Sequence, residues 1–431
     1  MKKRYDKYRD SGIEWIGEIP DGWEVTKNKY FVSLYEDYSE KGQEELLSVS
    51  EYYGIVPRKA IIDEDQEISR AESLVGYKRV KPNTLVINIM LAWKNGLAVG
   101  KFEGIVSPAY SVFAFEIGYP WYFHYLFRTS LYNAEFKKHS TGVIESRLRL
   151  YNDKFFSLFS HFPPLPVQEK IVKYLDHKTA LIDKLISITE RKIELLKEKR
   201  TALINHAVTK GLDPNVRMKE SGIEWIGQIP EHWEVKKLKY VAKIFNGSTP
   251  KDNDDYWGDD IVWVTPGDIG KIKNQIVLLD SDRRITQEGL NSCGCTLLPP
   301  NSIILTTRAP IGNVIICGTE FTTNQGCKSL VPVNVDYIYL YYVLKTSGVV
   351  LENLGQGTTF KELSTFSLNN FYVPHPSVGE QKQIVDFLLI KNEEYEKTIS
   401  TAQSTINTLK QYRQTLISEV VTGKINVEDE V

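Results

Sequence analysis

The chain has 431 residues, a formal net charge of −2 and a hydrophobic content of 42%. Its length corresponds to about three domains at ~150 residues each, and its composition is that of an ordinary globular protein. Because it has no long apolar run, we expect no membrane span, no secretion signal and a cytoplasmic location. The near-zero net charge excludes a chain that binds nucleic acid over its whole surface, so any such surface must be local.

A fifteen-residue segment near the start of the chain occurs twice. It reads SGIEWIGEIPDGWEV at 11–25 and SGIEWIGQIPEHWEV at 221–235, and three of the fifteen positions differ. Its apolar side chains, such as Trp15 and Trp23, predict a structural clasp over a helix end or a sheet edge, since none of them performs proton or metal chemistry. The repeat predicts a duplicated unit that consists of a Trp-anchored lead, a globular domain and a long helix.

The segment that follows each lead has α+β character. In the first, residues 84–90 read as a buried strand, two more strands are expected within 100–115, and residues 121–138 have helical spacing. In the second, the same order recurs, with strands expected at 302–308, 314–316 and 328–333 and a helix at 337–345. Between these landmarks the two segments differ freely, which suggests one scaffold that reads two different things.

Residues 168–211 predict a helix too long for an ordinary globular domain. Apolar residues recur with the alternating three- and four-residue spacing of a coiled coil. The two seam positions hold Val172, Thr179, Ile186, Ile193, Arg200 and Ala207, and Leu175, Ile182, Thr189, Leu196 and Leu203. Gly211 and Pro214 supply the stop. Forty-odd residues at 1.5 Å each give a length on the order of 65 Å, and the stripe needs a partner.

Residues 380–424 supply that partner in the same chain. An offset of 213 residues, as between Val172 and Val385, carries every seam position of the first helix onto the second without a gap, and Arg200 onto Arg413. We predict that the two stripes pack against each other and that the helices are antiparallel, because pseudo-twofold symmetry then gives both the same environment. The alternative is that each helix packs only on its neighbouring domain.

Motifs of catalysis and metal binding are not convincing in this sequence. The prolines at 162–165 and 298–301 lack the flanking residues of an adenine methyltransferase motif. Gly267 to Lys271 is too short for a nucleotide-binding loop, and the acidic cluster at 252–255 is expected to be a solvated loop. The cysteines lack zinc-ligand spacing and are expected to be free thiols. We therefore expect no catalytic residue and no metal site.

The paired arrangement resembles the DNA specificity subunits of type I restriction-modification systems. The resemblance covers essentially the whole chain. It rests on the two SGIEWIG leads, on the proline-rich helix entries at 163–169 and 374–381, and on the helix exits at 203–211 and 416–424. By this resemblance the domains are a first target-recognition domain at 1–162, a spacer helix at 163–211, a second target-recognition domain at 212–373, a second spacer helix at 374–425 and a tail at 426–431.

The resemblance implies a function that residues alone do not give. Each globular domain would read one half of a split double-stranded DNA target, and the antiparallel coiled coil would fix their separation. Two modification subunits, which carry S-adenosylmethionine and methylate adenine, would dock on the coiled coil. Restriction subunits that use ATP, with Mg, would join through them. The chain itself would bind no cofactor and would not be catalytic alone.

Candidate DNA contacts are polar and basic residues on the loops and strand ends of each domain, where base edges and phosphates are read. In the first domain they are Lys94, Asn95, Tyr110, Lys137, Lys138, Arg147 and Arg149. In the second they are Thr307, Arg308, Asn324, Gln325, Lys328, Thr358 and Lys361. Two other functions remain open: a standalone DNA nuclease or methyltransferase, and a coiled-coil adaptor that binds only proteins, which the net charge would suit.

Overall fold

The computed structural model describes residues 3–51, 54–60, 73–272, 275–308, 310–357 and 361–430. The chain divides into two compact units. The first contains Met1–Glu190 and Gln403–Val431, and the second contains Arg191–Ala402. Each unit therefore holds one lead, one globular domain and one half of each long helix. Among the described residues, no helix combines the length and the apolar character that a membrane span requires.

The first unit is built on an antiparallel four-stranded sheet in the order β4-β11-β8-β9, with two-stranded pairs around it. Its strands are β1 (Tyr8–Asp10), β2 (Glu18–Pro20), β3 (Glu24–Lys27), β4 (Val32–Leu34), β5 (Leu47–Ser50), β6 (Gly54–Pro57), β7 (Lys78–Val80), β8 (Leu85–Asn88), β9 (Leu97–Val99), β10 (Gly104–Val106), β11 (Tyr110–Phe115) and β12 (Phe159–Phe162). Its shorter helices are α1 (Pro120–Phe127), α2 (Ser130–His139) and α3 (Asn152–Ser157). In the central pair, Tyr110 of β11 lies opposite Asn88 of β8.

The long helix α4 runs through Leu165–Lys210, so its first half belongs to the first unit and its second half to the second. It ends where the sequence predicts, because Gly211 adopts the left-handed conformation, with φ of 78°, that closes a helix C-terminus at little cost. The other long helix, α10, runs through Val378–Val421 and is followed by Gly423 with φ of 74°.

The second unit repeats the central sheet and adds a second one. The shared sheet has the order β16-β24-β21-β22-β19, and the added sheet has the order β17-β20-β18-β23. Its strands are β13 (Met218–Glu220), β14 (Gln228–Pro230), β15 (Glu234–Lys237), β16 (Ala242–Asn246), β17 (Trp257–Gly258), β18 (Ile261–Val264), β19 (Val277–Leu278), β20 (Arg284–Ile285), β21 (Ser302–Thr306), β22 (Val314–Cys317), β23 (Phe321–Thr323), β24 (Cys327–Pro332) and β25 (Tyr372–His375). Its shorter helices are α5 (Pro266–Lys271), α6 (Gln287–Ser292), α7 (Tyr337–Thr346), α8 (Gly348–Asn353) and α9 (Thr365–Asn369).

The α+β class with two long helices is confirmed, and one detail of the prediction is wrong. The aromatic stretch at 121–138 is two helices rather than one continuous helical stretch. Thr129 adopts an extended conformation between them, and its hydroxyl accepts a bond from the backbone N–H of Tyr132 at the start of α2. The hydroxyl thus satisfies a donor at the start of α2 that would otherwise be unpaired, and the extended backbone at Thr129 separates the two helices.

The halves of the long helices run antiparallel within each unit. In the first unit, Asp183 of α4 contacts Arg413 of α10 with N and O atoms 3.0 Å apart, and Lys170, earlier on α4, donates to the carbonyl of Glu428, later in the chain. In the second unit, Arg200 contacts Asn392 and Glu396. Ile204 to Val208 share a core with Ile384 to Leu388. The predicted seam is buried or half-buried along each half, and Leu175 and Leu388 are fully buried.

The two leads clasp the ends of the long helices, as the sequence predicts. In the first unit, Trp23 is buried and lies close to Gly423 at the end of α10. In the second, Trp233 lies close to Gly211 at the end of α4. A side chain at either glycine would crowd the tryptophan or the neighbouring proline, so both the backbone conformation and the close approach require glycine.

Candidate nucleic-acid interface

The loops predicted to contact DNA converge at one end of the central sheet of the first unit. The strands β8 and β11 begin or end there. The loop 141–149 is closed by two backbone hydrogen bonds between Thr141 and Arg149. It is tied to the end of β8 by a bond of 2.8 Å from the N–H of Leu150 to the carbonyl of Ile89. Segments that are about 60 residues apart in the sequence therefore form one surface.

A groove of about 370 Å³ lies in this surface. Its walls come from the start of β11 and from the segment before α3, and they include Lys78, Tyr110 and Tyr151. Lys78 is held in place because its ammonium donates to the backbone carbonyl of Tyr110 at 2.7 Å. Burial raises the pKa of the Tyr110 phenol, so this residue is a neutral hydrogen-bonding group in the wall rather than an exposed loop residue.

Two of the predicted lysines lie over the ring of Trp93, which stands beside Lys94 in the sequence. The ammonium groups of Lys94 and Lys137 lie 4.5 and 4.8 Å from the ring centroid of Trp93. Lys137 also binds Glu145, and this contact, together with the charge of Lys94, lowers the pKa of that carboxyl. The ring attracts and orients both cations, so they form one positively charged patch.

Other predicted residues of the first unit have different roles. Asn95 is in the left-handed conformation, with φ of 59°, and its side-chain oxygen accepts a bond from Asn133 at 2.8 Å. It therefore shapes the turn that carries Lys94. Lys138 is exposed and lies 4.0 Å from Glu135. Arg147 and Arg149 are exposed on the loop that borders the patch.

The corresponding loops of the second unit meet at the same end of its sheet. The N–H of Leu363 donates to the carbonyl of Thr307 at 3.0 Å, which ties the loop that ends at Glu362 to the end of β21. Arg308 is half-exposed and contacts Glu362 at 3.2 Å. Lys361 is exposed beside this pair, and Gln325 is exposed and bonded to Thr249. The predicted contact Thr358 lies outside the described residues.

The predicted exposure is wrong for two residues of the second unit. The side chain of Thr307 is fully buried and donates to the carbonyl of Gly326 at 3.2 Å. Lys328 lies within β24, is 6% exposed and donates to the side chain of Asn246 at 2.9 Å. Burial lowers the pKa of its ammonium. Lys328 is on the sheet and Thr307 directly follows the end of β21, so both position the surface and do not project from a loop. Asn324 is half-buried, and its side chain accepts the N–H of Gly326.

Sequence reasoning missed an arginine of the added sheet. Arg283 is exposed, and its guanidinium carbon lies 3.3 Å from the ring centroid of Trp257. This stacking leaves the N–H edges of the guanidinium available to an acceptor. The duplication gives no signal for it, because the added sheet has no counterpart among the described residues of the first unit.

No three His, Cys, Asp or Glu residues come together as a metal-binding group in the part of the chain that the structure describes. The acidic segment at 252–255 is exposed, as predicted. The four cysteines all lie within the described residues and are free thiols. Burial raises the pKa of Cys295 to about 11 and that of Cys327 to about 12, so both are protonated near neutral pH.

Comparisons with known proteins agree with this organisation. Residues 230–411 match the family model described as the type I restriction modification DNA specificity domain. The chain is 37% identical over 183 residues to the type I restriction enzyme MjaIX specificity subunit of Methanocaldococcus jannaschii, an alignment that spans 40% of this chain and 42% of that protein. It is 23% identical over 444 residues to the putative MjaX specificity subunit of the same organism, which covers 96% of both chains.

Solved structures share the fold over nearly the whole chain. One, described as the basis of complex assembly and conformational transition of the type I R-M system, superposes with a TM-score of 0.71 at 15% identity and covers 94% of this chain and 98% of that one. The HsdS subunit from Thermoanaerobacter tengcongensis superposes with a TM-score of 0.56 at 16% identity, with the same coverage. Together with the duplicated sequence, these matches show that the chain is similar to type I restriction-modification DNA specificity subunits and shares their fold.

Proposed function

We propose that this chain is the subunit that reads the DNA target of a type I restriction-modification complex. The observation that carries the proposal is a loop arrangement that occurs in both units. In each unit a backbone hydrogen bond joins the end of a central strand to a later loop. The N–H of Leu150 donates to the carbonyl of Ile89 in the first unit, and that of Leu363 donates to Thr307 in the second. The frame is the same, but the side chains on it differ. Two readers of this kind suit a target with two unrelated halves.

The side chains on each surface match the chemistry of DNA recognition. Lys94 and Lys137 present two cations to phosphates, which supply affinity and orientation without reading sequence. Arg308, Gln325 and Arg147 have the donor groups that discriminate base edges in the major groove. Glu145 and Glu362 neutralise part of the positive charge in the free protein. The phosphates and bases of DNA must displace these carboxylates from their cations or share the cations with them. This competition favours a weak complex in the absence of further subunits.

Catalysis is assigned in this proposal to partner subunits. The relatives are named specificity subunits of restriction enzymes, and a specificity component needs partners that carry out the reaction. We propose two modification subunits that use S-adenosylmethionine to methylate adenine, and restriction subunits that use ATP and Mg. The two long helices, which run through both units, are the proposed docking element and the spacer between the two half-sites.

The test is co-expression of the chain with its cognate modification subunit, followed by sequencing of the host DNA for methylated adenines. We expect a split motif whose two halves are unrelated and separated by a fixed gap. Exchange of the globular domain of one unit for that of a relative should change one half-site and leave the other intact. A continuous motif, or methylation by the purified chain with S-adenosylmethionine alone, would contradict the proposal.

The co-expressed complex also distinguishes a DNA-reading subunit from an adaptor that binds only proteins. An adaptor would assemble with the modification subunit but would not confer sequence-dependent binding on it. A duplex that carries the methylated motif should compete at least ten-fold better than a scrambled duplex for the assembled complex. Equal competition by the two duplexes would favour the adaptor.

A further inference from the structure

A cavity of about 360 Å³ lies in the second unit, on the side of α7 that faces the second half of α4. Its volume is within the range of small-molecule sites, which is roughly 300–1,000 Å³. Much of the wall is apolar and comes from isoleucines, and the polar groups are concentrated on α4 and α7. The lining includes Lys197, Arg200, Ile204, Ile315, Tyr341 and Lys345.

The charged groups of this cavity are all cations. Arg200 is paired, because its guanidinium contacts Glu396 and Asn392. Lys197 and Lys345 have no carboxylate within 4 Å in the described parts of the chain. Lys345 is exposed toward the cavity. Partial loss of contact with water and the charge of Arg200 lower the pKa of its ammonium group. Like charges that converge on a partly enclosed space repel one another, and an anion bound between them would relieve that repulsion.

Phenol groups add hydrogen-bond donors to the same wall. Tyr342 accepts a bond of 2.7 Å from the side chain of Asn392, so its own hydroxyl proton remains available. Tyr341 is buried and has no hydrogen-bond partner among the described contacts. The cavity thus combines cationic and neutral donors with apolar walls, which is the composition of a site for a ligand with an anionic group and an organic body.

The matched position in the first unit shows that the fold does not require this arrangement. Tyr122 and Tyr339 make equivalent bonds, to the carbonyls of Val421 and Val208, and Arg128 and Lys345 each follow their tyrosine by six residues. Arg128 donates to the carbonyls of Asn95 at 3.1 Å and Leu97 at 2.8 Å, and also to that of Glu51. Its charge is satisfied by the protein itself, whereas Lys345 has no such acceptors among the described contacts.

We propose that this cavity of the second unit binds a phosphate group, with Lys197 and Lys345 as its charged ligands and Tyr341 as a neutral donor. Lysine ammonium groups are suited to phosphate because they act as compact point charges with several donors. The phosphate has two possible sources: a small organic phosphate such as a nucleoside monophosphate, which the enclosed volume suits, and the backbone of bound DNA. This proposal does not depend on which bases the loops read.

The experiment uses the full chain assembled with its modification subunit. Binding of adenosine monophosphate, pyrophosphate and a duplex with the methylated motif is measured by calorimetry for the wild type, Lys345→Ala and Lys197→Ala. Lys199→Ala is the matched control, since Lys199 is exposed on the same helix and does not line the cavity. Thermal unfolding of each variant verifies that the fold is intact, and Lys345→Gln replaces Lys345→Ala if the latter unfolds early.

We expect the two cavity variants to weaken phosphate binding by roughly ten-fold or more, and the control to leave it unchanged. A loss for the small phosphates identifies a free ligand. A loss confined to the duplex, with a shallower salt dependence, identifies a backbone phosphate. If neither small phosphates nor duplex respond to Lys345→Ala or Lys197→Ala, or if Lys199→Ala has the same effect, the proposal is wrong.

Discussion

Arg413 lies with its Nε 3.0 Å from the carboxylate of Asp183, and the pair is repeated in the second unit by Arg200 and Glu396. The offset of 213 residues carries Asp183 onto Glu396 and Arg200 onto Arg413. Each unit therefore uses one arginine from the seam of one long helix and one acid from the other. The polar seam position is explained by this pairing, which selects a single alignment of the helices.

The seam ion pair should contribute to alignment more than to stability. We expect Arg413→Met and Asp183→Ala to show a coupling energy of about 0.2–1 kcal/mol in a double-mutant cycle, because both side chains are partly exposed. The measurement is chemical unfolding of the four variants. The same cycle on Asp183 and the exposed Gln414 is the control. A coupling of zero for Arg413 and Asp183 would contradict the prediction.

A buried glutamine at the start of each long helix should contribute more to the stability of the fold than the seam ion pair does. Gln381 is fully buried, accepts the N–H of Asp336 at 2.8 Å and donates to the carbonyl of Pro376 at 2.9 Å. Gln168 makes the equivalent bonds to Tyr119 and Pro163. We expect Gln381→Leu to destabilise the second unit by about 1–3 kcal/mol, because the buried carbonyl of Pro376 and the half-buried N–H of Asp336 lose their partner.

Thermal unfolding of Gln381→Leu should be compared with that of Gln411→Leu, an exposed position on the same helix. The buried variant should melt several degrees lower than the control. Equal melting temperatures would show that the backbone groups of Asp336 and Pro376 find other partners.

Acid should destabilise the first unit through His161, which is buried, and His124, which is half-buried. Burial lowers the pKa of His161 to about 3, and His124 is shifted to a similar value. The unfolded chain takes up protons near pH 6.5, while the folded state does not until about pH 3. Stability is therefore complete above pH 6.5 and falls by about 1.4 kcal/mol per pH unit for a fully buried histidine between these limits.

The matched positions of the second unit are Tyr341 and Pro374, which do not titrate in this range. Burial also lowers the pKa of His375 in the second unit, so that unit has one such histidine against two in the first. Hydrogen exchange at pH 7 and pH 5 should therefore show a larger increase in opening for the first unit than for the second. His206→Gln, at an exposed position, should leave this difference unchanged. Equal pH dependence of the two units would contradict the assignment of the effect to His161 and His124.

The lysine patch on Trp93 should govern the salt dependence of DNA binding. If Lys94 and Lys137 contact phosphates, each alanine variant should reduce the slope of log K against log salt by about 1. The methylated motif should stay the same, because phosphate contacts carry no sequence information. Lys41→Ala, at an exposed position in the same unit, is the control. An unchanged slope in both variants would remove the patch from the interface.

The long helices should set the gap between the two half-sites. Insertion of one heptad in both helices keeps the seam in phase and adds on the order of 10 Å. We expect the gap in the methylated motif to lengthen while both half-sites are retained. Insertion of four residues in both helices puts the seam out of phase and should abolish methylation. An unchanged gap after the heptad insertion would reject the role of the helices as a spacer.

The sequence predicts the elements that depend on periodicity and repetition. The seam from Val172 to Ala207 and the glycine stop at Gly211 follow from local rules, and the structure contains them. The depth of a residue below a loop surface depends on tertiary packing, so Thr307 and Lys328 appeared exposed in the sequence but are buried. The partner acids Glu145 and Glu362 were missed for the same reason, since each is brought to its cation by folding.

The distribution of the long helices between the units has a consequence for synthesis on the ribosome. The second unit is one continuous segment, Arg191–Ala402, and has all its parts once residue 402 is made. The first unit also needs residues 403–431, which are made after the whole second unit and which bring Arg413 to Asp183 and Asn426 to Lys3. The first unit is thus started before the second but completed after it, and a nascent chain halted before residue 403 leaves Leu175 and Ile186 without the helix that covers them.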